Sequence, residues 1–336
     1  MSISLKAKVE LGVVPTHLKF VGGLVPDEAG KLPRAEDGRI LVVANMDKLM
    51  SESAVQIASA QVPYFPGVDE ADVKDLITGL QALGLVVHLI LMVGGADPMN
   101  PADEDAVVDM LVAGIEAAKQ YGVENVASTS VEEWMKEGAE TREGADFDAA
   151  VAQNVAAHTK AYEKAGIEGS CVKAWHIEFL RYGEFKTFTD ISKIWAFVKA
   201  ANEALGKPFF KVMVDAAHCG DSTISIPDHE PIINEIAEAG AMGIFHASAK
   251  TTRGCLSTDD GWIAALLAQV AKTGTLAFAF VEVFHHEDPA LEGLRNLDPG
   301  HGIDTRDGRD YDQVTLDGVV DVTHRLNNLV ARGMLS

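Results

Sequence analysis

The chain has 336 residues and carries 28 Lys and Arg against 50 Asp and Glu, a formal charge of −22. A surface this acidic repels phosphate backbones and anionic bilayers, which argues against nucleic acid as a partner. With 47% hydrophobic and 23% charged residues, the composition also excludes a disordered chain.

Met1 to Val14 lacks the long apolar run of a signal peptide. The longest apolar stretch, Leu83 to Val93, is interrupted by Gly84 and His88 and is too short to span a bilayer. Cys171, Cys219 and Cys255 are widely spaced, odd in number and form no CxxC pair. That usage suits a reducing cytoplasm rather than a disulfide framework. The expectation is a cytoplasmic protein with no membrane partner.

In chain order, apolar runs predict strands at Val9–Val13, Ile40–Ala44, Leu85–Val93, Val123–Ser128, Val172–Leu180, Phe209–Ala216, Met242–Ser248 and Leu276–Phe284. Helical periodicity falls near 70–83, 103–120, 146–165, 190–205, 228–239, 260–273 and 314–331. Asp69 and Thr189–Asp190 have the character of helix starts. The segment Phe20–Gly38, with four glycines, two prolines and no helical period, reads as a long loop. The first 65 residues fit the alternation least well. Strands alternating with helices of this length indicate a parallel sheet, and eight such units predict a closed (β/α)8 TIM barrel over a doubly wound open sheet. No linker, internal repeat or low-complexity tract divides the chain, so residues 1–336 are expected to form one domain.

Four late strands carry a polar residue where packing alone would favour an apolar one. Glu178 follows Ala174–Ile177, Asp215 ends Val212–Asp215, His246 ends Gly243–His246, and Glu282 lies within Phe280–Phe284. Each sits at or near the C-terminal end of its strand, where a barrel assembles its active site. One such acid is commonly a helix cap or a salt-bridge partner, and one such histidine a satisfied core residue. The set carries the argument, because three carboxylates converging on one mouth need a cation to coexist. An oxygen-rich set with one imidazole and no thiolate favours Mn first, then Mg or Co, over a closed Zn site.

These residues resemble the xylose isomerase-like barrel superfamily over roughly 170 to 290, and most closely its ketose 3-epimerase branch. In that family a Glu, an Asp, a His and a second Glu on the last four strands bind one divalent metal. They match Glu178, Asp215, His246 and Glu282. The family places a substrate-contacting Glu six residues after its first metal Glu, matched by Glu184, and a substrate-contacting His three after its metal Asp, matched by His218. An Arg–Gly pair follows the metal His, matched by Arg253–Gly254 one residue later than expected. The resemblance implies a metal-dependent isomerase or epimerase that moves a proton next to a carbonyl of a ketose or related polyol through an enediolate. Glu178 and Glu282 would then serve as the acid–base pair. An inosose dehydratase-like reaction uses the same intermediate. A homo-oligomer is also open, since such barrels often pair through exposed loops.

A rival from another class is an apurinic endonuclease of the endonuclease IV family, which shares the quartet and the Asp-x-x-His spacing. That family needs further ligands, including an Asp-x-His after the seventh-strand His. Here Asp259–Asp260–Gly261 has Gly in place of that His, and Val123–Ser130 lacks a His. Lower in the ranking stand His176, on the same strand face as Glu178, and Lys250, His285 and His286 near the mouth. Trp175 and Phe284 fit core packing better than sugar stacking, and Gly94–Gly95 is too weak a signal for a phosphate loop.

Overall fold

The computed structural model describes residues 2–15, 24–249, 261–283 and 310–336, with Glu292 and Asn296 as isolated positions. Eight parallel strands close into a barrel in sequence order. They are β1 (Glu10–Val13), β2 (Ser59–Tyr64), β3 (Val86–Leu91), β4 (Asn125–Ser128), β5 (Ala174–Ile177), β6 (Phe210–Asp215), β7 (Met242–Ala247) and β8 (Phe278–Val281). Pairing of β1 with β8, from Glu10 against Phe278 to Val13 against Val281, closes the ring. Around it run α1 (Leu41–Glu52), α2 (Glu70–Ala82), α3 (Glu104–Gln120), α4 (Ala145–Lys164), α5 (Ile191–Leu205), the short α6 (Ala216–Asp221), α7 (Ile226–Glu238), α8 (Trp262–Lys272) and α9 (Tyr311–Ala331).

Helix α5 shows how local chemistry fixes these elements. Asp190 Oδ1 accepts the backbone N–H groups of Ser192 and Lys193 at 2.9 and 3.0 Å, satisfying two otherwise orphaned donors. Ile191, Ile194, Trp195, Val198 and Ala201 then form the buried stripe. Gly206, at φ 68°, terminates the helix in the left-handed region. Asp69 caps α2 in the same manner, accepting from Ala71 and Asp72.

One predicted element is corrected. Ile40–Ala44 is not a strand: Leu41 opens α1, in which Val42, Val43, Met46 and Leu49 bury a helical face. The second strand is Ser59–Tyr64 instead, which keeps the count at eight. Its alternation is inverted, since Ser59 and Gln61 are wholly buried polar residues, and Pro63 lies within it. A proline and two polar side chains conceal a strand from hydrophobic pattern alone.

The main core fills the space between barrel and helices, from Leu11 and Val62 through Trp175 and Phe210 to Val322 and Leu326. A second apolar cluster of Val14, Ala127, Met213, Ile244 and Phe280 packs separately from it. The β6–β7 register shifts between Val212 and Val214: Val212 is opposite Met242, whereas Val214 is opposite Phe245. Gly243 sits at this bulge, where a Cβ would lie 2.6 Å from the Val212 carbonyl oxygen and 2.9 Å from His176 Nδ1.

Candidate active site

The barrel brings the four predicted residues together. Asp215 is the last residue of β6, and His246 is the penultimate residue of β7. Glu178 and Glu282 follow β5 and β8 by one residue. Their backbone N–H groups still bond the neighbouring strands, to Ser128 O at 3.0 Å and Ala247 O at 3.4 Å. All four are buried, with Asp215 at 0% and His246 at 1% exposure. One ligand atom from each lies within 4.8 Å of every other.

His246 Nδ1 is the common neighbour. It lies 3.3 Å from Glu282 Oε2, 3.4 Å from Glu178 Oε1 and 3.8 Å from Asp215 Oδ2. Burial would push the imidazole pKa down, but the Glu282 and Glu178 carboxylates more than reverse this and hold it well above its ordinary value. On its other side, His246 Nε2 lies 2.7 Å from Gln61 Oε1 on β2. An amide oxygen can only accept, so Nε2–H donates to it. Nδ1 is a buried nitrogen turned toward three carboxylates. A divalent cation fits this donor set, with three hard oxygen ligands and one imidazole nitrogen. Among the described residues no other group of His, Cys, Asp and Glu has this convergence.

Of the three candidate substrate residues, His218 borders this cluster. His218 lies in α6, buried, with Nε2 3.6 Å from Glu178 Oε1. Glu184 is buried in the segment after β5. Trp134 Nε1 donates to its Oε1 at 3.3 Å and Arg181 Nε to its Oε2 at 3.1 Å, so this carboxylate is oriented by the protein. Arg181 also approaches Asp221 Oδ2 at 3.9 Å. Arg253, the third candidate, lies outside the described residues, as do Lys250, Phe284, His285 and His286.

Sequence reasoning missed Gln61, Trp134, Arg181 and Glu132. The Glu132 carboxylate accepts the backbone N–H groups of Lys186, Thr187 and Phe188 at 2.8, 2.8 and 3.0 Å. It thereby ties the segment after β4 to the one that carries Glu184. Burial outweighs these three donors and raises the carboxyl above its usual pKa. Only Arg181 had a readable signal, an i,i+3 spacing to Glu184.

The remaining candidates take structural places. His176 Nε2 lies 3.2 Å from Asn125 Oδ1, and burial keeps its pKa well below normal. Trp175 is fully buried, donates to Ser128 Oγ at 2.9 Å and packs against Phe210.

No family model and no curated protein matches the chain. Solved structures do. A D-allulose 3-epimerase from Methylomonas sp. superposes with a TM-score of 0.71 at 15% identity, covering 96% of this chain and 100% of that one. An L-ribulose 3-epimerase gives 0.71 at 16% identity, covering 97% of each chain. A family 2 AP endonuclease from Brucella melitensis gives 0.56 at 11% identity, covering 82% of this chain and 92% of its own. These likenesses agree with the fold of the chain, a closed (β/α)8 barrel.

Proposed function

We propose that the protein is a divalent-metal-dependent sugar isomerase or epimerase acting on a ketose or related polyol. One observation carries this reading: ligand atoms of Glu178, Asp215, His246 and Glu282, from four consecutive strands, lie within 4.8 Å of one another at the barrel mouth. The likeness to two ketose 3-epimerases along nearly their full length supports it. Manganese suits the oxygen-rich donor set best, with magnesium or cobalt next and zinc least.

When bound, the ion would supply an electrophile for the two oxygens flanking the reacting bond. The chain's own residues do the rest. Glu178 and Glu282 enter the cluster from the ends of two different strands, one residue past β5 and β8. One takes a proton from the carbon next to the carbonyl and the other returns one to the opposite face, giving an enediolate between the steps. Return to the same carbon from the opposite face is epimerisation, and return to its neighbour is aldose–ketose isomerisation. Glu184 and His218 would hold substrate hydroxyls, Glu184 in the orientation that Trp134 and Arg181 impose. Arg253 is the proposed third substrate contact, holding an oxygen and steadying the enediolate.

The endonuclease reading is the second from another class. A single convergent ligand group among the described residues favours the sugar enzyme over a site of several metals, as does the net charge of −22. Chelator-stripped protein, reloaded in turn with Mn, Mg, Co and Zn, would be assayed on ketoses, inososes and abasic DNA. Exchange of a sugar C–H proton with solvent deuterium is the expected result. Metal-dependent cleavage of abasic DNA without sugar turnover would overturn the reading.

A further inference from the structure

Gln61 is wholly buried in β2, between Ala60 and Val62, which are also wholly buried. Burying an amide costs free energy unless a partner compensates, and pure packing would favour an aliphatic side chain there. Its hydrogen-bond partner is His246, 185 positions away in sequence, with Gln61 Oε1 2.7 Å from Nε2.

A neutral imidazole carries a single N–H. If Nε2–H is donated to Gln61, the lone pair must sit on Nδ1, the nitrogen 3.3 to 3.8 Å from the three carboxylates. The opposite tautomer would aim an N–H at the place a cation needs. The Gln61 acceptor also restrains rotation of the ring about its bond to Cβ.

We infer that Gln61 is a positioning residue that selects the Nδ1-ligating tautomer of His246 and fixes its ring plane. This role rests on the metal reading of the site. It accounts for a wholly buried polar residue in a strand whose hydrophobic pattern it spoils.

The test is Mn(II) affinity, followed by electron paramagnetic resonance of the free ion, for wild type, Gln61→Met and Gln61→Glu. Methionine has similar length but no comparable acceptor, whereas glutamate keeps one. The expected result is roughly 10–100-fold weaker binding for Gln61→Met, the usual loss for an outer partner of a ligating histidine. Gln61→Glu should bind as tightly as wild type or tighter. Equal affinity in wild type and Gln61→Met, or equal weakening in both variants, would overturn the inference while leaving the metal site standing. Failure of the wild type to bind Mn(II) would instead overturn the metal reading and this inference with it. Nitrogen-15 NMR of the Zn-loaded wild type provides a readout that needs no variant to fold. A proton on His246 Nε2 is expected, and a proton on Nδ1 would refute the assignment.

Discussion

Asp215 accepts the backbone N–H of His218 through Oδ1 at 2.6 Å, while its Oδ2 lies 3.8 Å from His246 Nδ1. One carboxylate thus caps the short helix after β6 with one oxygen and faces the buried imidazole with the other. The two jobs separate in Asp215→Asn, which keeps an acceptor for His218 N–H but loses the charge. Metal content and activity should fall together, while the melting temperature of the metal-free protein stays the same or rises, because a like charge leaves the buried cluster. Calorimetry with and without metal checks this, and full metal occupancy with normal activity would refute the assignment.

Glu178 and Glu282 are proposed both as ligands and as the acid–base pair. Each Gln variant should lose solvent-deuterium incorporation into the substrate by more than the ~10²–10⁴-fold typical of one acid–base group, since the ligand set is damaged as well. Mass spectrometry of recovered sugar reads the exchange. An unchanged rate in both variants would reassign the proton transfer.

Glu184→Ala and His218→Ala remove the two described side chains proposed to hold substrate rather than metal. Metal stoichiometry should stay intact while kcat/KM falls by about one to two decades, the equivalent of roughly 1.5–3 kcal/mol for a hydrogen bond to a charged group. Arg253→Ala is expected to behave likewise. Normal kinetics in all three variants would remove the substrate shell but not the metal site.

Below pH 6.5 the protein should lose stability through His158. This ring is buried in α4, with Nδ1 2.8 Å from Asn154 O and Nε2 2.9 Å from Ser130 Oγ. Burial lowers its pKa from 6.5 to about 4. Between those values the unfolded chain takes up a proton that the folded one refuses, so stability falls as pH drops through this window and levels off below pH 4. The full loss is about 3 kcal/mol, at 1.36 kcal/mol per pH unit. Urea unfolding of wild type and His158→Gln at pH 7.5 and 4.5 measures it. The wild-type advantage should narrow by about 2–3 kcal/mol at the lower pH. An advantage independent of pH would place the acid sensitivity elsewhere.

The quartet of Glu178, Asp215, His246 and Glu282 was readable in the sequence because a charged or polar residue in an apolar run leaves a local mark at a strand end. Asp69 and Asp190 were readable as helix caps for a similar reason: capping acts over three residues. Long-range partners were not. Gln61 meets His246 only once the barrel closes, and Glu132 meets Lys186, Thr187 and Phe188 across two loops. Strand β2 was hidden by the residues that make it useful, since its polar side chains point inward and erase the pattern that marks a strand. The apolar start of α1, Leu41–Val43, mimicked a strand because its helical face shows only when Met46 and Leu49 are counted with it.

Strand β7 changes phase at Gly243. Met242 stands opposite Val212 and Phe245 opposite Val214, so three steps on one strand match two on its neighbour. Strict alternation onward from Met242 would send Phe245 inward and His246 out among the helices. The extra residue restores the opposite order: Phe245 joins the outer core, and His246 stands opposite Asp215. The strand therefore behaves like a reading frame with a single built-in shift. Pairing β7 without this shift would leave its composition unchanged, yet it would exchange an imidazole for a phenyl ring at the centre of the cluster, whereas deleting one residue between Met242 and Phe245 would match two steps to two and keep His246 opposite Asp215.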